Sequence, residues 1–343
     1  MNGIVLSIRQ LAAPHHSPTM NISITGASGF IGKLLLQQLA ATPHALTILS
    51  RKQGSAVPGI RCVQGDLLQE DAALHAFADN SDVILHCAGE IKDERLMQQL
   101  HVAGTRHLLS AVGASIRKHG KPVHWVQLSS VGAYGLDGPG AQTGRTISEA
   151  SEERPVGVYE VTKTASDQLV RNFAEQEPLF SYTIVRPTIV IGANMPNQSF
   201  HAMARMIKRG IFFRIGRRPA MATYVHVDDV VHALLQCISD TRARGKVFIV
   251  ANDCPLEQVV TALAQAMRVA VPRWTLPEAP LRLLLKLTPS WLKLPLTPAR
   301  VDALTRKTHY SSALIGSTLD FFPAESIPQS IPQLIHDSAD RLK

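Results

Sequence analysis

The run Ile22-Ser23-Ile24-Thr25-Gly26-Ala27-Ser28-Gly29-Phe30-Ile31-Gly32 decides how this 343-residue chain is read. A short apolar segment ends in three glycines spaced three apart, then passes directly into Lys33-Leu34-Leu35-Leu36-Gln37-Gln38-Leu39, whose apolar residues recur at helical spacing. This is a strand, a tight turn and a helix start. Gly26 permits the turn, Gly29 lets backbone approach a pyrophosphate, and Gly32 lets the helix lie close against the strand. The helix N-terminus adds N–H groups and a positive dipole end.

The rest of the first half repeats the unit. Strands are expected at 45–50, 60–64, 82–87 and 123–128, with helices at about 71–78 and 95–118 and another opening near Val158. Regular strand–helix alternation predicts an α/β fold: a doubly wound parallel Rossmann sheet with helices on both faces and ligands at the carboxyl ends of the strands. The length admits one large domain or a main domain with a smaller lobe, and residues 1–19 read as a flexible extension.

Composition narrows the class. Apolar residues make up 45% and charged residues 18%, an ordinary globular balance. The net charge of +8 suits a polyanionic ligand such as a dinucleotide. Aromatics are only 5% and no basic run is interleaved with them, so nucleic acid is not expected. Cys62, Cys87, Cys237 and Cys254 are scattered and form no Cys-x-x-Cys pair, as expected of reduced thiols in a cytoplasmic protein. Residues 1–19 lack the apolar core and cleavage site of a secretory signal, and Met20 stands directly before the first strand. No stretch approaches ~18 uninterrupted apolar residues.

Arg51 and Lys52 follow the second strand. An acidic residue there binds the ribose hydroxyls of NAD, whereas a basic one meets the extra phosphate of NADP, so NAD(P) is expected with a preference for NADP. His101 and His107 do not have the spacing of a metal pair, and no metal is expected. Ser129-Ser130 closes the fifth strand, and a Gly-rich loop with Pro139 follows that reads as a flap over a site. Tyr159 and Lys163 lie four apart, one helical turn from each other on one face. A neighbouring ammonium lowers the pKa of a phenol by stabilising phenolate, and a Ser130 hydroxyl beside them completes a proton-transfer site.

Taken together these residues resemble the extended short-chain dehydrogenase/reductase superfamily, in particular its NAD-dependent epimerase/dehydratase group, from Asn21 to about Asp320. The marks stand in order: GASGFIG at 26–32, Gly65-Asp66-Leu67, His86-Cys87-Ala88-Gly89, Ser129-Ser130 before Tyr134-Gly135, Tyr159 with Lys163, Arg186-Pro187, Gly192 and Tyr224 to Asp229. The resemblance implies a pyrophosphate site at Gly26, Gly29 and Gly32 with backbone contacts from Phe30 and Ile31. It implies Asp66 and Leu67 beside the adenine, Ala88 and Gly89 beside the ribose, and Ser28, Arg51 and Pro187 within the same cofactor set. Ser130, Tyr159 and Lys163 become the catalytic group, Lys163 also holding the nicotinamide ribose. The resemblance further implies an NAD(P)-binding Rossmann domain over 20–186 and a smaller C-terminal, mainly substrate-binding lobe over 187–343, with 224–250 returning to the main sheet.

Departures from the family pattern narrow the reaction. Val131 and Gly132 stand where dehydratases of this group carry an Asp-Glu pair, so dehydration is not expected. Ile189 and Ala222 replace an Asn and an Arg that help bind the nucleotide diphosphate in epimerases, and Arg217 and Arg218 are the nearest cations to compensate. His101 stands where the family usually has Asn. The expected function is epimerisation or keto-reduction of a nucleotide-linked sugar. The alternatives are a hydroxysteroid or dihydroflavonol-like ketone reductase and, from another class, a non-catalytic NAD(P)-sensing protein. A homodimer is left open. The Leu-rich stretch 281–294, with Arg282, Lys286, Trp291 and Lys293, reads as a packed lobe helix with snorkelling lysines; a helix lying on a membrane surface is its alternative.

Overall fold

In the computed structural model, which describes residues 19–52, 58–135, 144–216, 220–287 and 297–338, the opening run forms strand β1 (Asn21–Thr25) and helix α1 (Phe30–Leu39). The readings placed on 1–18, on the loop around Pro139, on Arg217 and Arg218, and on Trp291 and Lys293 lie outside the described residues.

Six further strands join β1: β2 (Ala45–Ser50), β3 (Arg61–Gln64), β4 (Val83–His86), β5 (Val123–Leu128), β6 (Phe180–Pro187) and β7 (Lys246–Val250). All pairings are parallel, in the order β7-β6-β5-β4-β1-β2-β3. The chain starts mid-sheet, runs outward to β3, then returns to place β4 beside β1 with Thr25 opposite His86. That reversal opens a crevice at the carboxyl ends of β1 and β4, where such sheets bind ligands. Every residue of β4 and β5 is buried, the mark of strands covered on both faces.

Helices α1 and α6 (Val227–Ser239) cover one face, where Leu35, Leu39, Val230, Val231 and Leu234 meet Ile22 and Ile24. On the other face lie α2 (Ala72–Ala78), α3 (Gly104–His119) and α4 (Val158–Gln176), packed around Trp125, Phe77, Leu108 and Val170. Each large apolar side chain buried there contributes about 1.5–3 kcal/mol. Helix α3 continues a run that begins at Glu94 and passes through a π-helical turn, Gln98–Ala103. Such turns occur often at functional sites, and this one carries His101.

A second core lies apart from the sheet. Helices α5 (Gln198–Lys208) and α7 (Leu256–Ala266), with the helix Ile327–Asp337, bury Phe200, Met203, Ile207, Val259, Leu263 and Ile331 together. Tyr224–His226 pairs with Ile189–Ile191 in a separate two-stranded ribbon, and the main sheet is rejoined only at β7.

Helix α8 (Glu278–Leu287) departs from the packed lobe helix expected for this stretch, because none of its residues is buried. Its half-buried side carries Glu278, Leu281, Arg282 and Leu285. Arg282 donates to Glu278 Oε1 at 2.8 Å, and to Asp302 Oδ1 at 2.6 Å and Thr305 Oγ1 at 3.2 Å on helix α9 (Pro298–Thr305). An ion-paired face turned inward leaves leucines outside: Leu283, Leu284 and Leu287 are 58%, 59% and 73% exposed.

Candidate active site

The turn after β1 is closed by the Gly29 N–H donating to the Gly26 carbonyl at 2.9 Å. Gly26 has φ +69°, and a Cβ there would sit 2.6 Å from the Ala88 nitrogen. A Cβ on Gly32 would come within 2.1 Å of the Gly26 carbonyl oxygen, so helix and turn meet at a distance only glycine allows. Gly29 caps α1 without any side-chain hydrogen bond, and the first turn holds no acid. Free N–H groups, a positive helix end and a cradle that a side chain would fill are what a pyrophosphate needs.

This turn forms one wall of a cleft of about 1600 Å³ whose lining includes Gly26, Ser28, Gly29, Phe30, Ile31, Gly32, Gly89, Ser130, Tyr159, Lys163 and Pro187. Four of the expected residues lie outside that lining. Leu67 is buried in the core, and its carbonyl oxygen lies 3.0 Å from His107 Nδ1. Asp66 accepts the Leu68 N–H at 3.0 Å, Ala88 donates its N–H to Thr25 Oγ1 at 3.2 Å, and Arg51 stands exposed beyond β2.

The two serines after β5 have separate fates. Ser129 is buried and donates to Asp167 Oδ2 at 2.7 Å. Ser130 is half-buried, and its Oγ accepts the Gly132 N–H at 3.1 Å. Asp167 also binds Arg186, whose Nη2 lies 2.8 Å away and whose guanidinium reaches Glu153 as well and lies 5.0 Å from the Tyr134 ring centre. This buried network ties α4, β5 and β6 together behind the cleft.

Lys163 is buried and donates to the Leu128 carbonyl at 2.7 Å. Burial holds its ammonium below the ordinary range, while Asp167 and Cys87 pull the other way. The expected lowering of the Tyr159 phenol by this lysine is not what the structure shows. Burial, and then the charges of Glu160 and Asp167, push the phenol up to about 12. The ammonium is committed to Leu128, and desolvation prevails.

Three residues in or beside the cleft had no role in the sequence reading: His101, buried behind Gly89, and Glu160 and Arg306 in the lining. His101 accepts the Glu90 N–H through Nε2 at 2.9 Å and has Nδ1 2.8 Å from Thr162 Oγ1. Glu160 lines the cleft, its Cγ only 2.5 Å from where a Cβ on Gly132 would lie, so the place of the dehydratases' acid is already filled by another part of the chain. Arg306, which lines the cleft as Tyr310 does, is the third. The His101 departure from Asn was the one signal available. For Arg306 there was none, because only long-range packing brings it to the cleft.

A Rossmann sheet with a glycine-cradled helix end, and with Ser, Tyr and Lys brought to the same cleft, defines the short-chain dehydrogenase/reductase type. Residues 22–251 match the model of the NAD dependent epimerase/dehydratase family, and the chain belongs to that family. It is an NAD(P)-dependent enzyme. Among its relatives, the human sterol-4-alpha-carboxylate 3-dehydrogenase, decarboxylating, is 26% identical over 268 residues, 74% of this chain and 69% of that one. The GDP-6-deoxy-D-mannose reductase of Pseudomonas aeruginosa is 26% identical over 344 residues, 95% of this chain and 99% of that one. A solved structure of the UDP-glucuronic acid 4-epimerase from Bacillus cereus in complex with NAD superposes with a TM-score of 0.71 at 17% identity, over 94% of this chain and all of that one.

Among the described residues no helix is long and apolar enough to cross a membrane.

Proposed function

We propose that this enzyme transfers hydride at a secondary alcohol or ketone of a nucleotide-linked sugar, as an epimerase or keto-reductase, with Ser130, Tyr159 and Lys163 as its catalytic group. The observation that carries the reading is the single cleft into which the glycine turn, these three residues and Arg306 all open. At about 1600 Å³ it exceeds the ~300–1000 Å³ usual for one small ligand, leaving room for a second beside a dinucleotide.

Bound NAD(P) supplies hydride acceptance and donation. Gly26, Gly29 and Gly32, with the Phe30 and Ile31 amides, hold its pyrophosphate; Ser28, Gly89 and Pro187 border it, and Lys163 holds the nicotinamide ribose. Asp66, Leu67 and Ala88 complete the adenine and ribose side through backbone. Ser130 orients the substrate oxygen, and Tyr159 gives or takes its proton. A phenol kept protonated suits donation to a carbonyl oxygen. The lobe built on 187–343 binds the remainder of the substrate, and Arg306 offers a cation to a diphosphate in place of the contacts missing at Ile189 and Ala222.

A second reading, a hydrophobic ketone, draws on Ile189, which lines the cleft with 39% exposure, and on the sterol dehydrogenase among the relatives. Turnover on parallel panels of nucleotide sugars and hydrophobic ketones separates the two. Tyr159→Phe should abolish turnover while cofactor affinity stays near wild type, and activity that survives the change sinks the assignment. Cofactor binding without turnover on either panel would make the chain a sensor.

A further inference from the structure

Helix α8 carries leucines on both of its sides. At ~100° per residue, Leu283, Leu284 and Leu287 fall within one arc with Lys286 at its border, while Glu278, Leu281, Arg282 and Leu285 lie opposite. Hydrogen bonds from Arg282 to Asp302 and Thr305 commit that opposite, half-buried side to the protein. The three leucines of the first arc are left exposed.

The segments beside it continue the pattern. Thr275–Leu276 pairs with Arg214–Ile215, and the residues flanking this ribbon include Trp274, 78% exposed, and Ile211, 57% exposed. Charge singles out one occupant for the face. Residues 205–216 and 268–287 hold eight lysines and arginines and one acidic residue, Glu278. Glu278 and Asp302 pair with Arg282, and Glu257 pairs with Arg214, whereas Arg209, Arg268, Arg273 and Lys286 are exposed. Exposed leucines on a short helix, an adjacent tryptophan and a one-sided basic surround are what an anionic bilayer surface binds: the leucines enter the acyl boundary, tryptophan sits at headgroup level, and the cations meet lipid phosphates.

We propose that α8, with Trp274 beside it, docks this enzyme on an anionic membrane surface through Leu283 and Leu287. The cleft is coupled to that face, because Arg282 holds Thr305 and the next residue, Arg306, lines the cleft. Docking therefore sets the substrate lobe, rather than the cofactor domain, against the bilayer.

Co-sedimentation of the full chain with vesicles tests this. With phosphatidylcholine vesicles containing about a quarter phosphatidylglycerol, at about 0.1 M salt, binding should exceed that to pure phosphatidylcholine by at least about tenfold. Leu283→Glu/Leu287→Glu should lower it by at least about tenfold while the melting midpoint and NAD(P) affinity stay near wild type. Arg273→Glu/Lys286→Glu should weaken binding to the anionic vesicles and flatten its dependence on salt. The proposal is overturned if wild type stays in the supernatant with anionic vesicles at low salt, or if the leucine variant pellets as wild type does. It is equally overturned if that variant turns a dimer into a monomer while vesicle binding is unchanged, since a second copy then covers the face.

Discussion

The imidazole of His101 stands edge-on to the Tyr159 ring, centroids 5.6 Å apart and planes at 83°. Nε2 faces the Glu90 N–H and must accept, so Nδ1 carries the proton and points it at Thr162 Oγ1. Thr162 in turn donates to the Val158 carbonyl at 2.7 Å, in the same turn of α4 as Tyr159. The ring thus joins the loop after β4 to the start of α4. Burial, and then the charge of Lys163, lowers its pKa to about 3, so the ring is neutral near pH 7.

The first prediction is that His101→Phe, which keeps the edge contact but cannot bond Glu90 or Thr162, lowers kcat by at least about tenfold with a smaller change in KM. His101→Asn, which can still accept from Glu90, should recover most of the rate. Steady-state kinetics of the two variants checks this, and equal losses in both would reduce His101 to a packing residue. Imidazole NMR signals should show no titration of His101 between about pH 5 and 8.

The preference for NADP expected from the sequence rests on Arg51. It is exposed beyond β2 and is followed by a second cation, Lys52, as a ribose phosphate would require. Arg51→Asp should raise the Kd for NADP by about tenfold or more, roughly 1.4 kcal/mol, and leave that for NAD within a few-fold. Fluorescence titration with both nucleotides checks it, and equal effects would remove this residue from coenzyme choice.

Gly32→Ala should damage cofactor binding more than its one added carbon suggests. The new Cβ falls 2.1 Å from the Gly26 carbonyl oxygen, a backbone atom with no rotamer to yield, so α1 must move off the turn. Overpacking of this kind costs about 1–3 kcal/mol. A lowered melting midpoint together with NAD(P) affinity reduced at least about tenfold is expected. Unchanged affinity would mean that the turn does not seat the pyrophosphate.

What could be read in the sequence and what could not divides by distance along the chain. The β1 turn is a local pattern, as is the helical run ending in α3, and both form within a residue or two of where spacing placed them. Ser130, not Ser129, stands four residues before Tyr134, an offset visible in the sequence. The structure has Ser129 committed to buried Asp167 and leaves Ser130 at the cleft. Tertiary context decided the rest. The Tyr159 phenol rises because burial outweighs an ammonium that is turned to Leu128, and helix spacing says nothing of either. The leucines of α8 were visible, but which side faces inward depends on Asp302 and Thr305, about twenty residues further on. Arg306 reaches the cleft only through packing of the smaller lobe.

Asp253 gives the last prediction, a dependence of stability on pH with a definite sign. Its Oδ2 accepts the Tyr310 backbone N–H at 2.6 Å, and Arg306 and His309 face the same carboxyl group. Burial nevertheless pushes its pKa up to about 7, against 3.8 for the free side chain. Between those values the folded chain keeps a proton that the unfolded chain releases. The contribution to stability is therefore fully present below the lower value and is lost as pH rises through the upper one. Asp253→Asn has no such proton to keep. Relative to wild type it should gain stability as the pH is raised from about 4 to about 7, by up to a few kcal/mol, whatever fixed effect the substitution has on packing. Urea unfolding of both proteins at about pH 4.5 and about pH 8 measures that difference directly. Curves that keep a constant separation across the range would show that Asp253 is ionised in the folded chain.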